Sequence, residues 1–287
     1  MEMRSMQNTG DKVIKAGLFL LLLIMVFPLF ILVADSFMGS RELTEKFGPV
    51  LAGTKGMAEF TLLPMYPTLR AYVKLLLDSP EFFVAFWNSA LQTVAVVAGQ
   101  IFVEVPAAWA FARYPFPGKR MLWFLYMLLM ILPFQVTMVS GYLVLNAAGL
   151  MDTHWAVIIP GVFSTLPVFI LRKTFAAIPH EVLEAAQVDG AGDLRLFFYI
   201  GIPAGKSGIF SIAILGFLEY WNGIEQPMTF LKTESLRPLS LYLPDITVSE
   251  AAVSFAASVI MLLPALLFFF FGQEYLEQGI AASGIRE

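Results

Sequence analysis

Residues 16–34 have the sequence AGLFLLLLIMVFPLFILVA, with 14 Leu, Ile, Val or Phe among 19 uncharged residues. A helix needs about 20 mostly apolar residues to cross the hydrocarbon core of a bilayer. Transferring these side chains into lipid contributes about −4 to −8 kcal/mol, so the segment is able to insert by itself. The stretch therefore predicts a transmembrane helix over residues 13–35.

A secretory signal peptide is the competing interpretation, because Lys12 and Lys15 precede the apolar run. Signal peptides have apolar cores of about 7–15 residues that end at a cleavage site between small residues. This run has 19 residues, and no such site precedes Asp35. We interpret the segment as a retained helix.

The composition extends this interpretation to the whole chain. Hydrophobic residues make up 58% of the 287 positions and charged residues 14%, against about 25% charged in soluble domains. A soluble surface needs charge, so a typical cytosolic enzyme, a disordered chain and a coiled coil are excluded. With no Cys and two His, the chain has no pattern for a metal site, and we predict neither a metal nor a cofactor. Its net charge of −4, without a basic tract, gives no footprint for nucleic acid.

Further charge-free stretches predict a polytopic, all-α membrane protein with six transmembrane helices. The shortest, residues 207–218, has 12 uncharged residues and spans a bilayer only if it continues to about Met228, with Glu219 facing protein or water. The other four are residues 82–103, 121–151, 153–171 and 251–273.

The stretch 121–151 is too long for one perpendicular helix, since it contains 31 residues. We expect a short turn near Ser140–Gly141 or an interfacial segment at 143–150.

Basic residues indicate the orientation in the membrane. With a cytoplasmic N-terminus, 11 Lys and Arg lie inside and 7 outside, and the basic clusters that adjoin spans are all inside. We therefore expect both termini in the cytoplasm of a multi-pass protein. The expected divisions are a cytoplasmic N-terminus (1–12), a first helix (13–35), an external loop (36–80), a core with five transmembrane helices (81–273) and a cytoplasmic tail (274–287).

The loop 173–206 has the sequence KTFAAIPHEVLEAAQVDGAGDLRLFFYIGIPAGK. Pro179 suits the first turn of a helix, and Gly190 offers a left-handed stop. Asp193 is a potential cap for a second short helix that ends at Pro203. The first helix has small side chains on one face, which suits either an amphipathic connector on the membrane or a docking surface for another protein. Physical reasoning alone leaves both open.

A family resemblance distinguishes these two interpretations. Glu184-Ala185-Ala186, Gly190, Ile200 and Ile202-Pro203 are spaced as in the EAA signature of permease subunits of binding-protein-dependent ABC importers, and the loop resembles that signature. The family pattern usually has Leu where Ile202 stands, which is a conservative departure.

Other segments resemble the carbohydrate branch of this family, and the whole is similar to the second permease of maltose-type sugar importers. Residues 39–67 do not follow the pattern. The similar segments are 108–113, 116–119, 145–153, 171–179, 221–222 and 272–284.

The resemblance implies a type I ABC importer permease fold in the bacterial inner membrane. It implies a second permease subunit, two ATPase subunits and an extracytoplasmic sugar-binding protein as partners. It also implies that the loop forms a coupling helix seated in a cleft of the ATPase. The ATPase-coupling residues it implies are Glu184, Ala185, Ala186, Asp189, Gly190 and Ala191.

The resemblance implies that the partner subunits hydrolyse ATP and that a permease has no nucleotide site, and the sequence agrees. Gly205-Lys206-Ser207 matches the end of a phosphate-binding loop, but Ile200 occupies the position where that loop requires glycine. No catalytic motif is present, so we predict a transporter subunit and not an enzyme.

Polar residues in the spans are candidates for a substrate path. Glu219, Trp221 and Asn222 combine an aromatic face with donors and acceptors, which suits sugars, and Gln135 is a weaker candidate. A buried hydrogen bond to the partner permease is the alternative for Glu219. For Glu104 we expect a local pair with Arg113 or a water-exposed position.

Two other functions stay open at this stage. The same framework could import another polar solute such as glycerol phosphate, although no Arg or Lys lies inside the spans. A secondary transporter would need an internal repeat or ion-coupling carboxylates, and Glu219 without a repeat supports this only weakly.

Overall fold

The computed structural model describes residues 2–51, 57, 61–242 and 250–283, and all regular structure in these ranges is helical. The predicted all-α class is confirmed. The chain divides into two compact units, one formed by residues 1–80 with 243–262 and the other by residues 81–242 with 263–287.

In its described residues, the first unit contains three helices and the beginning of the last helix that the structure describes. A buried ion pair between Glu42 and Lys46 lies inside it, and Glu42 also accepts the backbone N–H of Met65 at 2.9 Å. Lys74 pairs with Glu250 at 2.8 Å. The helices are α1 (Glu2–Ser36), α2 (Ser40–Leu51) and α3 (Arg70–Leu77).

The second unit contains the remaining helices. They are α4 (Pro80–Arg113), α5 (Lys119–Ile131), α6 (Phe134–Ala147), α7 (Trp155–Val162), α8 (Leu166–Ala176), α9 (His180–Val188), α10 (Asp193–Ala204), α11 (Lys206–Trp221), α12 (Glu225–Phe230) and α13 (Ala251–Ser283), which begins in the first unit.

Within the described ranges, four helices are long and apolar enough to cross a membrane: Ile14–Ser36, Pro80–Arg113, Trp155–Ala176 and Ala251–Glu277. Two bent pairs, α5 with α6 and α10 with α11, raise the number to six if each pair is one span. Helix α11 ends at Trp221 and does not continue to Met228, because the helical conformation is interrupted at Asn222 and Gly223 before α12 begins.

The prediction of a turn near Ser140–Gly141 is wrong. Both residues lie inside α6, and the chain instead bends by 110° at Leu132 and Pro133. A residue that precedes proline is disfavoured in the helical region, and Leu132 has an extended conformation with ψ of 126°. Pro133 therefore determines the break between α5 and α6.

The prediction for the second loop helix also needs correction. Gly192 occupies the cap position, Asp193 is the first helical residue, and no side-chain capping bond forms. The helix then passes through a π-helical turn at Leu196–Gly201, in which Ile202 N–H bonds to Phe197 O. Pro203 lies in the short α-helical turn Ile202–Ala204 that follows, where a missing N–H is tolerated, and α10 ends one residue later at Ala204.

The helices of the loop 173–206 pack against a buried core. It includes Trp109 of α4, Leu171 and Phe175 of α8, and Leu196 of α10. Gly201 lies directly against Trp109, where an added Cβ would be 2.8 Å from the ring. This close approach holds α10 against α4.

Candidate functional site

The loop between α8 and α10 presents a short helix that one buried residue anchors. Pro179 is the extended residue that precedes α9, so it lies one position before the predicted first turn. Leu183 is the buried residue of α9 and packs into the core with Phe175. The opposite face of α9 is therefore free to contact another protein.

Gly190 ends α9 with a φ of +84°, so the predicted left-handed stop is confirmed. Gly190 N–H bonds to Gln187 O at 2.9 Å, and Ala191 N–H bonds to Ala186 O at 2.9 Å. These two bonds form a Schellman motif, which satisfies two carbonyl groups at the end of the helix. The motif gives the end of the helix one defined shape.

The six predicted coupling residues divide between two environments. Glu184, Ala185, Asp189 and Gly190 are exposed. Ala186 and Ala191 are partly buried and pack against the core that contains Leu183, so they face inward and position the helix.

The loop also contains exposed apolar side chains. Val188 is 88% exposed, Leu194 74% and Tyr199 79%. Val182 also belongs to the exposed face of α9. The exposure of Val188, Leu194 and Tyr199 was not predicted, although Val188 and Leu194 lie on either side of the glycine that ends α9.

Arg113 connects the end of α4 to the beginning of this loop. Its guanidinium donates to Phe175 O and, at 2.5 Å, to Ile178 O. It also lies 5.8 Å from the ring centroid of Trp109. Two carbonyl groups at the end of α8 are thereby satisfied by a cation, which complements the negative end of a helix.

The expectation for Glu104 is wrong in both of its forms. The residue is 2% exposed and forms no ion pair in the described part of the chain, and the backbone N–H of Ser164 lies beside its carboxyl group. Arg113 cannot reach it, because nine residues along a helix correspond to about 13 Å, and Arg113 is bound to Phe175 and Ile178.

Two of the four path candidates lie near one cavity of about 280 Å³, whose lining includes Glu219, Tyr220 and Glu225. Gln135 donates to Glu225 at 2.9 Å and so lies at its edge. The rings of Phe134 and Tyr220 also line this cavity. The carboxyl groups of Glu219 and Glu225 and the amide of Gln135 therefore lie near aromatic rings.

The other two candidates lie apart from that cavity's lining. Trp221 is buried and stacks on Phe217, with ring centroids 5.5 Å apart and an interplanar angle of 11°. Asn222 is exposed, and its side-chain amide donates to Leu218 O at 2.8 Å, which satisfies a carbonyl at the end of α11.

Asp152 forms a contact that the sequence did not indicate. Its Oδ1 accepts the backbone N–H groups of Lys232 and Thr233, both at 2.8 Å, and its Oδ2 accepts the Thr233 hydroxyl at 2.6 Å. These hydrogen bonds, the Thr233 hydroxyl foremost, lower the pKa of Asp152. Asp152 thus joins the α6–α7 connection to the segment after α12.

The apolar helices and bent helix pairs define an all-α, polytopic membrane protein, and in the described ranges no three His, Cys, Asp or Glu cluster as metal ligands would. Residues 104–282 match the family described as binding-protein-dependent transport system inner membrane component. This match covers more than half of the chain, and the chain belongs to that family.

Full-length relatives support this membership. The chain is 28% identical over 277 residues to the inner membrane ABC transporter permease protein YcjP of Escherichia coli, covering 94% of each chain. It is 25% identical to the arabinooligosaccharides transport system permease protein AraQ of Halalkalibacterium halodurans, covering 92% of each. It is 32% identical to a probable ABC transporter permease protein of Pyrococcus horikoshii, covering 75% of this chain and 80% of the relative.

A solved structure confirms the predicted fold. The chain resembles a subunit of a bacterial ABC transporter involved in the import of the acidic polysaccharide alginate, with a TM-score of 0.81 and 23% sequence identity. The likeness covers 93% of this chain and 96% of that one. The chain therefore has the fold of an ABC importer permease.

Proposed function

We propose that this chain is a permease subunit of an ATP-driven importer that carries a sugar or oligosaccharide across the inner membrane. A separate ATPase would drive it through the loop 173–206. The observation that carries the proposal is the exposed surface of Glu184, Ala185, Val188 and Gly190, mounted on a rigid buried base.

The geometry of the loop suits the transmission of force. To shift a two-state equilibrium from 1:99 to 99:1, an interaction must differ by about 5.5 kcal/mol between the states. A flexible connector would dissipate such a load. Here Leu183 anchors α9, the Schellman motif fixes its end, and Arg113 joins its base to α4. ATPase movement at the exposed face would therefore be passed to the spans.

The proposed partners are a second permease, two ATPase subunits and an extracytoplasmic binding protein. One related structure is described as an alginate transporter in complex with a pentasaccharide-bound periplasmic protein, which supports a binding protein as a partner. In the proposed orientation both termini are cytoplasmic. Segments 36–80 and 229–250 would then face the binding protein.

A saccharide is the favoured solute because of the relatives and the cavity. One relative is named for arabinooligosaccharides and another, from Bacillus subtilis, for polygalacturonan and rhamnogalacturonan. The cavity beside Glu219 combines the rings of Phe134 and Tyr220 with Glu225, which Gln135 contacts. Rings stack on sugar faces, and carboxylates and amides accept and donate to hydroxyl groups.

The docking role is tested with Gly190→Asp against Gly190→Asn. Both side chains tolerate the left-handed conformation better than most, so the pair isolates the effect of charge. We expect the Asp variant to insert into the membrane normally but to recover little of the ATPase on co-purification and to lose transport. The Asn variant should keep most of both activities. Normal transport by the Asp variant would contradict the proposal.

A further inference from the structure

An open cavity of about 670 Å³ lies at the turn between α4 and α5. Three of its lining residues are the cations Arg113, Lys119 and Arg120, and its described lining contains no acidic side chain. Phe116 and Met121 supply apolar surface beside them. Such a combination suits a ligand with an anionic head and an apolar body.

The available positive charge of this cavity centres on Arg120. Arg120 is exposed and makes no hydrogen bond or ion pair to the described part of the chain. Lys119 donates to Tyr114 O at 2.9 Å and lies 5.9 Å from the ring centroid of Phe116. Neither cation is neutralised by a carboxylate within the described ranges, so the field of both remains available to an anion.

The apolar surface continues from the cavity along α5. None of the residues of α5, all of which the structure describes, is buried. Met121 is exposed, as are Phe124, Leu128 and Ile131 at later positions of the same helix. A molecule whose head sits between Lys119 and Arg120 would therefore have an apolar track for its chains.

Arg172 adds a further positive charge beside α5 to the charges of Lys119 and Arg120. The guanidinium of Arg172 on α8 lies 4.0 Å from the ring centroid of Trp123, which is part of α5. Tryptophan rings and basic side chains concentrate where hydrocarbon meets the headgroup layer. Because the cavity also adjoins the charge-free stretch 121–151, we expect it to lie at the depth of the lipid headgroups.

We propose that this cavity binds the headgroup of an anionic phospholipid, whose acyl chains lie along α5. Basic residues close to a membrane attract anionic lipid with an energy that corresponds to about fivefold in affinity for each cation. The proposal does not depend on the transported solute or on the ATPase.

The test is native mass spectrometry of the full chain with phosphatidylglycerol or phosphatidylcholine of matched acyl chains. We expect preferential retention of phosphatidylglycerol. Arg120→Gln should reduce that preference about fivefold, and Lys119→Gln with Arg120→Gln about 25-fold. The control Arg41→Gln makes the same charge change at an exposed residue of α2 and should keep the preference.

Three results would overturn the proposal. The first is equal retention of the two lipids, or a preference that the variants at Lys119 and Arg120 leave unchanged. The second is displacement of phosphatidylglycerol by inorganic phosphate, which would indicate a site for free anions. The third is loss of bound phosphatidylglycerol when the chain is purified in its complete assembly, which would indicate that another protein covers this face.

Discussion

Arg113 donates a hydrogen bond to the carbonyl oxygen of Ile178 at 2.5 Å and thereby joins the last turn of α4 to the residues that precede α9. The two residues are 65 positions apart in the chain. The same guanidinium also donates to Phe175 O, so one side chain links α4 to α8 at this end. Movement imposed on α9 would reach α4 through this link.

Replacing Arg113 should separate ATP hydrolysis from transport. Hydrogen bonds that involve a charged group contribute about 1.5–3 kcal/mol, so we expect Arg113→Ala to lower transport by at least about tenfold. Basal ATP hydrolysis by the assembled importer should persist, while its stimulation by the loaded binding protein should fall. Both quantities are measured in proteoliposomes.

Arg113→Lys serves as the conservative variant, because one ammonium group can still reach a carbonyl oxygen, and it should retain intermediate coupling. Full stimulation in Arg113→Ala would show that the link to Ile178 does not transmit the movement.

The conformation of Gly190 allows a matched comparison with Gly192. An added Cβ meets nothing within 4 Å at either position, but Gly190 has a φ of +84° and Gly192 a φ of −77°. A Cβ in the left-handed region costs about 1–2 kcal/mol. Gly190→Ala should therefore lower the recovery of ATPase on co-purification, whereas Gly192→Ala should not. Equal recovery from the two variants would exclude a role for the left-handed end of α9.

The sequence predicted the features that depend on local composition and chain stereochemistry. The run 16–34 is apolar enough to be a helix in any context, and the stop at Gly190 needs no distant partner. The inward position of Ala186 and Ala191 was not predictable in this way, because it depends on packing against a core formed by residues of α4 and α8. Pro133 was a local signal for the break between α5 and α6, but the prediction placed the turn near Gly141 instead.

Glu104 should tolerate the loss of its charge better than the loss of its volume. Its carboxyl group is buried beside the backbone N–H of Ser164 and forms no ion pair with the described residues, and burial of a charge without an ion-pair partner is costly. Glu104→Gln keeps the shape and should leave the midpoint of thermal unfolding in detergent unchanged or higher. Glu104→Ala leaves a cavity and should lower it. A marked loss of stability in Glu104→Gln alone would indicate a partner for the carboxylate.

Asp152 should make stability depend on pH in the acid range. Hydrogen bonds from Thr233 lower its pKa in the folded protein below the ordinary value of 3.8. A carboxyl group with a lowered folded-state pKa stabilises the fold above its unfolded value, and this contribution disappears as pH falls through the folded value. In Asp152→Asn the difference in unfolding midpoint from wild type should be constant between about pH 5 and 7 and should shrink below about pH 4.

Thr233→Val tests the origin of the effect at Asp152, because it removes the hydroxyl that donates to Oδ2 and keeps the backbone N–H that donates to Oδ1. This variant should show a smaller acid-dependent difference than Asp152→Asn. Glu234→Gln removes a neighbouring, largely exposed carboxyl group and serves as the control, for which we expect the wild-type profile. If Asp152→Asn differed from wild type by the same amount at every pH, the carboxylate charge would have no part in holding Thr233.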